Sequence, residues 1–140
     1  MLDIPNDFPL HKLVSQELMQ LCIGSNDIVL RFYQRDEIES MAEKWKPGAT
    51  IAIDSGFELS DKGRVICAAS NEDLGNSAGG LTVLLRQIIC SVERLPRNEL
   101  LLRFSKGHAL HLVTDEMGYE SFHIELDGDM IDVAAPFSGA

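Results

Sequence analysis

Two stretches of this 140-residue chain look alike. Leu10-x-x-Leu13-Val14-x-Gln16 returns 71 residues later as Leu81-x-x-Leu84-Leu85-x-Gln87, and Leu30-Arg31-Phe32 returns 72 residues on as Leu102-Arg103-Phe104. A one-residue difference in the intervening turns, Ser25-Asn26-Asp27 and Pro96-Arg97-Asn98, accounts for the change of offset. Self-similarity at a fixed offset is the mark of a repeated structural unit. A hairpin-like unit with one apolar face is unstable alone, so two must seal against each other. The repeat therefore predicts one domain over residues 1–140, with halves at about 8–70 and 80–134. Each half reads as a short helix followed by three strands.

Period 2 carries the strands. Ile28, Leu30 and Phe32 point one way and Arg31 and Tyr33 the other; Leu100, Leu102 and Phe104 repeat this with Arg103 opposite. One apolar face at period 2 means a half-buried, antiparallel strand. Phe122, Ile124 and Leu126 face inward, Ser121, His123 and Glu125 outward, and Asp127-Gly128 fits a two-residue hairpin turn returning through Met130 to Val133. Ser105-Lys106-Gly107 leads into a strand at Ala109–Val113. Thr50–Ile53 and Val65–Ala69 also read as strands, and Trp45-Lys46-Pro47-Gly48 as a turn. A helix capped by Asn6 or Asp7 places Leu10, Leu13 and Val14 on one face. The stretch NEDLGNSAGG, residues 71–80, reads as the joint between halves. The fold class is α+β, a mostly antiparallel sheet with two or three short helices.

Composition narrows function. Acids outnumber bases 22 to 12, a net charge of -10. They divide as 13 acids and 7 bases up to Gly75, then 9 and 5, so the acidity is spread and forms no tail. Such a surface repels phosphate backbones and anionic lipid, and attracts a basic protein. No apolar run reaches the roughly 20 residues of a membrane helix. MLDIPNDFPL lacks the basic start and apolar core of a signal peptide, so the expected compartment is the cytoplasm. Cys22, Cys67 and Cys90 are widely spaced in apolar company and read as buried, inert thiols.

No phosphate loop, GxSxG or HExxH signature is present. His108, His111 and His123 gather in the last third, beside Glu120 and Glu125. Alternation puts His108 and His111 on opposite faces of one strand, so they cannot share a metal. His111 and His123 read as cross-strand neighbours, which with Glu125 form a weak metal site, a pH-sensitive patch or an ordinary polar face. Asp127, Asp129 and Asp132 lack the closing Glu of a calcium loop and read as a turn with a charged edge. Trp45 between Lys44 and Lys46 is either a binding anchor or a lid on the core. Arg31 and Arg103 hold matching outward positions, on one sheet surface if the halves are related by a pseudo-twofold. The candidate binding surface is thus Arg31, Trp45, Arg103, His111 and His123, with no catalytic residue, metal or cofactor expected.

The pattern Leu81-x-x-Leu84-Leu85-x-Gln87, then Leu100-Leu101-Leu102-Arg103-Phe104-x-x-Gly107, then Tyr119-Glu120-Ser121-Phe122-x-Ile124 resembles a group of small, uncharacterised, β-rich bacterial proteins. Cys22-Ile23-Gly24 with Ile28 to Phe32 is similar to their N-terminal half. Some members resemble immunity proteins of toxin systems. Phe122 stands where members commonly carry Trp, and Gln34-Arg35 where they have a Gly turn. The resemblance implies a non-enzymatic module that binds a protein and inhibits it. The expectation is therefore a non-catalytic acidic module for a basic partner. The alternatives are a structural homo-oligomer, or a small-ligand binder or enzyme with its site between the halves.

Overall fold

The computed structural model describes residues 3–36, 44–70 and 72–136, with the side chains of 35, 36, 44 and 45 outside the described set. In chain order it runs as a 3-10 turn (Leu10–Leu13), β1 (Glu17–Ile23), β2 (Ile28–Asp36), β3 (Lys44–Ile53), β4 (Gly56–Asp61), β5 (Arg64–Ala69) and α1 (Leu74–Ser77). A second 3-10 turn (Ala78–Leu84) follows, then β6 (Ile89–Leu95), a third turn (Pro96–Asn98), β7 (Glu99–Phe104), β8 (His108–Val113), β9 (Glu120–Leu126) and β10 (Asp129–Ala134). No helix among the described residues is long and apolar enough to cross a membrane.

The strands form two antiparallel five-stranded sheets, ordered β1-β2-β3-β9-β10 and β6-β7-β8-β4-β5. The β4–β5 hairpin leaves the first sheet to pair with β8, and the β9–β10 hairpin leaves the second to pair with β3. The sheets are thereby interlocked by two crossovers. A transverse row of the first sheet reads Leu21, Leu30, Ile51, Ile124, Ile131. The corresponding row of the second reads Val92, Leu102, Leu110, Leu59, Cys67. The three central residues of each row are fully buried and the flanking ones pack against one shared core. Period 2 fixes this outcome, because each strand has a single apolar face to hide.

Between the sheets, Glu17 and Ile88 form an antiparallel bridge. Around it the backbone bonds are reciprocal. Ser15 N–H donates to Ile89 O at 2.8 Å and Ile89 N–H to Gln16 O at 2.9 Å, while Leu18 N–H donates to Gln87 O at 3.0 Å and Arg86 N–H to Leu18 O at 2.8 Å. The hairpin turns Lys62-Gly63 and Asp127-Gly128 match as well, with positive φ at all four residues (51°, 86°, 53° and 84°). This is the two-residue turn whose twist suits antiparallel strands.

Helix content is lower than the sequence implies: one α-helical turn and three 3-10 turns among the described residues. The spacing explains it. In a 3-10 turn residues i and i+3 eclipse, so Leu10 and Leu13, and Leu81 and Leu84, point inward together. Residue i+4 is rotated away, leaving Val14 37% exposed and Leu85 half-buried. Pro9, not Asn6 or Asp7, stands at the N-cap of the first turn, and no side chain caps it.

Trp45 to Gly48 lies inside β3 and is not a turn. The pairing passes from Arg31↔Thr50 to Tyr33↔Pro47, so β3 carries one extra residue there. This bulge absorbs the turn-forming composition. The stretch from 72 to 80 is likewise no loose linker: Leu74 and Ala78 are buried, and a Cβ on Gly75 would meet Gly24 O at 2.4 Å.

Candidate functional site

The crossovers define one end of the molecule. Ile23, Ile28, Ile53, Phe122 and Val133 form the last row of the first sheet, and beyond it lie the loops 24–27, 54–55, 70–77, 96–98 and 114–119. Among their described residues stand the acids Asp27, Asp54, Glu72, Asp73, Asp115 and Glu116, against the single base Arg97. The opposite end is mixed: Lys12, Lys62, Arg86 and Lys106 stand near Asp127 and Glu17, with ion pairs Lys12–Asp127 at 2.6 Å and Arg86–Glu17 at 2.9 Å. The crossover-end loops thus carry six acids and one base among the described residues, -5 of the chain's net -10. Two large apolar side chains stand out of this acidic field, Met117 (76% exposed) and Tyr119 (66%). Beside them Ser55, Gly56, Val113, Thr114 and Met117 contribute to a shallow groove of about 460 Å³.

Ser121 ties the two crossovers together. Its carbonyl accepts from Asp54 N–H at 2.9 Å and Ser55 N–H at 3.1 Å; its hydroxyl accepts from Asp115 N–H at 2.7 Å and donates to Tyr119 O at 3.1 Å. The hydroxyl is fully buried with the rest of its side chain, so these bonds are shielded from water. Ser121 is also an extra residue in β9: Val133 pairs with Phe122, but Ala134 pairs with Glu120. Ser121 and Phe122 are consecutively buried, and the bulge turns Glu120 to the outer face, beside His123.

His123 sits between two carboxylates. Its Nδ1–H donates to Asp132 Oδ1 across the hairpin and its Nε2–H to Asp54 Oδ2 from the crossover, each at 2.5 Å. Burial alone lowers its pKa. The hydrogen bonds and charges of Asp132 and Asp54 outweigh that and raise it above the usual 6.5. Two donors into two carboxylates require the imidazolium form.

The expected surface is divided by the fold. Arg31 in β2 and His123 in β9 lie on the outer face of the first sheet; Arg103 in β7 and His111 in β8 lie on the outer face of the second. His111 and His123 are therefore not neighbours, because β9 leaves β8 to pair with β3, and Arg31 and Arg103 lie apart because β2 and β7 belong to different sheets. His111 donates to Glu99 Oε1 at 2.7 Å and pairs across the sheet with Glu58. Arg103 pairs with Glu93 at 3.0 Å. The backbone of Trp45 belongs to β3 opposite Arg35, and its side chain lies outside the described set.

His108 turns inward, as the alternation predicts, and its Nδ1 accepts from the Gln87 amide at 3.0 Å. It lines an open groove of about 530 Å³ on the second sheet, together with Lys62, Cys90 and Arg103. Cys90 is exposed, not buried: the pairing skips from Ile89↔Phe104 to Ser91↔Arg103, and Cys90 is the bulged residue between them. Cys22 and Cys67 are half-buried.

Sequence reasoning missed Asp54 and the role of Asp132, named Glu120 only as an acid near the histidines, and put Ser121 on the outer face, where the bulge instead buries it. Only Asp132 had a signal: a two-residue turn at Asp127-Gly128 forces its pairing with His123. No family model, curated protein or solved structure matches this chain.

Proposed function

We propose that this chain is a non-catalytic protein-binding module, of the immunity-inhibitor kind, that takes a basic protein on its crossover end. The observation that carries the reading is the composition of that end: six acids against one base in its described loops, with Met117 and Tyr119 exposed at the same end. Charge of one sign steers a complementary partner and sets the on-rate. Apolar anchors at the centre of a charged field supply the affinity once water is excluded. Ser121 and its bonds hold residues 54–55 and 114–119, which carry Asp54, Asp115, Glu116, Met117 and Tyr119, so this part of the face is preorganised and little entropy is lost on docking.

The repeat supports the same picture. We infer that residues 8–70 and 80–134 are copies of one unit that exchange their last hairpins, since the two transverse rows, the bulges opening β1 and β6, and the Lys62-Gly63 and Asp127-Gly128 turns all correspond. The copies differ in what they place at the crossover end, so one face of the molecule is specialised.

The test is a pull-down from native cells with wild-type protein, Glu72→Lys/Glu116→Lys and Tyr119→Ala. A basic protein retained stoichiometrically by wild type and lost by both variants, with an association rate that falls as salt rises, is the expected result. Equal retention by the variants, or a salt-independent rate, would falsify the reading. A second reading, a small anionic ligand in the groove beside Lys62, Arg103 and His108, is favoured by these three basic groups in one lining, of which Arg103 is shared with Glu93 and His108 with Asp61. Its mark is an anion whose binding weakens with Arg103→Ala and is untouched by Tyr119→Ala.

A further inference from the structure

We propose that Glu120, His123 and Asp132 form a site for one divalent transition-metal ion of the zinc class, with Asp54 as the group that holds the imidazole in place. This goes beyond the partner reading and does not depend on it.

One donor atom from each of Glu120, His123 and Asp132 lies within 4.8 Å of the others. They come from a single rigid unit, the β9–β10 hairpin. Asp132 stands directly opposite His123 in its register, and the bulge at Ser121 brings Glu120 round to the same side. Without that bulge, period 2 would put Glu120 and His123 on opposite faces.

The fourth carboxylate has a different part. Asp54 comes from the β3–β4 crossover, its own N–H fixed on Ser121 O, and it accepts from Nε2–H. A carboxylate on the far nitrogen fixes the tautomer and aims the near nitrogen, the arrangement that metal-ligating histidines use. Nδ1 is left facing Asp132. An ion entering there takes the Nδ1 lone pair while the proton of that nitrogen leaves to solvent; Nε2–H stays on Asp54. One imidazole nitrogen with two carboxylates suits zinc-like ions. Calcium needs six to eight oxygens, which this site lacks. The ring is only 20% exposed, and next to it Thr50, Ala52 and Met130 help line a shallow cavity of about 340 Å³, room for water or another ligand in a fourth position.

The experiment is a calorimetric titration of the chelator-treated full chain with zinc chloride, paired with melting curves. One saturable site is expected. Glu120→Gln and His123→Gln each weaken it at least ten-fold, and Asp54→Asn by about ten- to a hundred-fold. Glu58→Gln, which removes an exposed charge from the outer face of the second sheet, leaves it unchanged. Zinc raises the melting temperature of wild type and not of Glu120→Gln. No saturable binding up to about 1 mM zinc overturns the proposal. So does a Glu58→Gln loss equal to that of Glu120→Gln, which would mean diffuse acidity. Should His123→Gln fail to fold, the exposed Glu120 decides the matter.

Discussion

Gln16 and Gln87, 71 positions apart, do the same work at the two places where a 3-10 turn passes into a strand. Each is buried, and each donates its amide to the carbonyl four residues back, Lys12 O at 2.8 Å and Val83 O at 2.9 Å. Each accepts with Oε1 from a backbone N–H elsewhere, Ala49 at 2.7 Å in the β3 bulge and Lys106 at 3.0 Å in the β7–β8 turn. Each follows a residue of positive φ, Ser15 at 76° and Arg86 at 73°.

Replacing either glutamine by alanine strands a backbone N–H and opens a void. Gln16→Ala and Gln87→Ala are each expected to cost about 1–3 kcal/mol. Urea melts will show both midpoints lowered, more for Gln87→Ala, whose amide also serves the buried His108 Nδ1 at 3.0 Å. A neutral result at either position would mean that water replaces the amide.

The transverse rows make a second matched pair. Leu30→Ala and Leu102→Ala each remove a fully buried side chain from the centre of a sheet. Losses of about 2–5 kcal/mol are expected for both. A large difference between them, measured by equilibrium unfolding, would mean that the two sheets close unequally.

The pH response of the metal-free protein follows from His123. Its pKa is raised on folding above 6.5. The clasp with Asp54 and Asp132 therefore contributes fully below about pH 6.5 and is lost as pH rises through the folded-state value. Chelator-treated wild type should lose stability on going from pH 6.5 to 9, and His123→Gln should lose less. Asp73 and Asp127 act at the other extreme: a backbone bond from Ser70 holds Asp73 below its usual value and Lys12 holds Asp127 below its own. Their contribution is present above about pH 4 and fades in acid. Identical slopes for wild type and His123→Gln between pH 6.5 and 9 would sink the clasp.

Thiol reactivity separates the cysteines. Cys90 is exposed on its bulge, while the Cys67 thiol donates to Ser77 O at 3.0 Å and is half-buried. An aromatic disulfide reagent should modify one thiol quickly in the native protein, and Cys90→Ser should abolish that fast phase.

What residues alone determined here is local and periodic. Alternation placed Leu30, Leu102, Phe122 and Ile124 inside and turned His108 away from His111, because a strand has two faces and only one can be buried. Asp127-Gly128 set the β9–β10 register, and with it the pairing of His123 with Asp132. The exchange of hairpins between sheets was beyond such reading. Nothing local distinguishes a β4 that pairs with β3 from one that pairs with β8, since both choices hide the same apolar face. That choice belongs to the closing of the whole core. It separates His111 from His123, brings Asp54 to the imidazole, and gathers six acids at one end. Bulges had the same standing: an extra residue at Ser121, Cys90 or Gly48–Ala49 is fixed by pairing across strands, and it alone turned Glu120 and Cys90 outward.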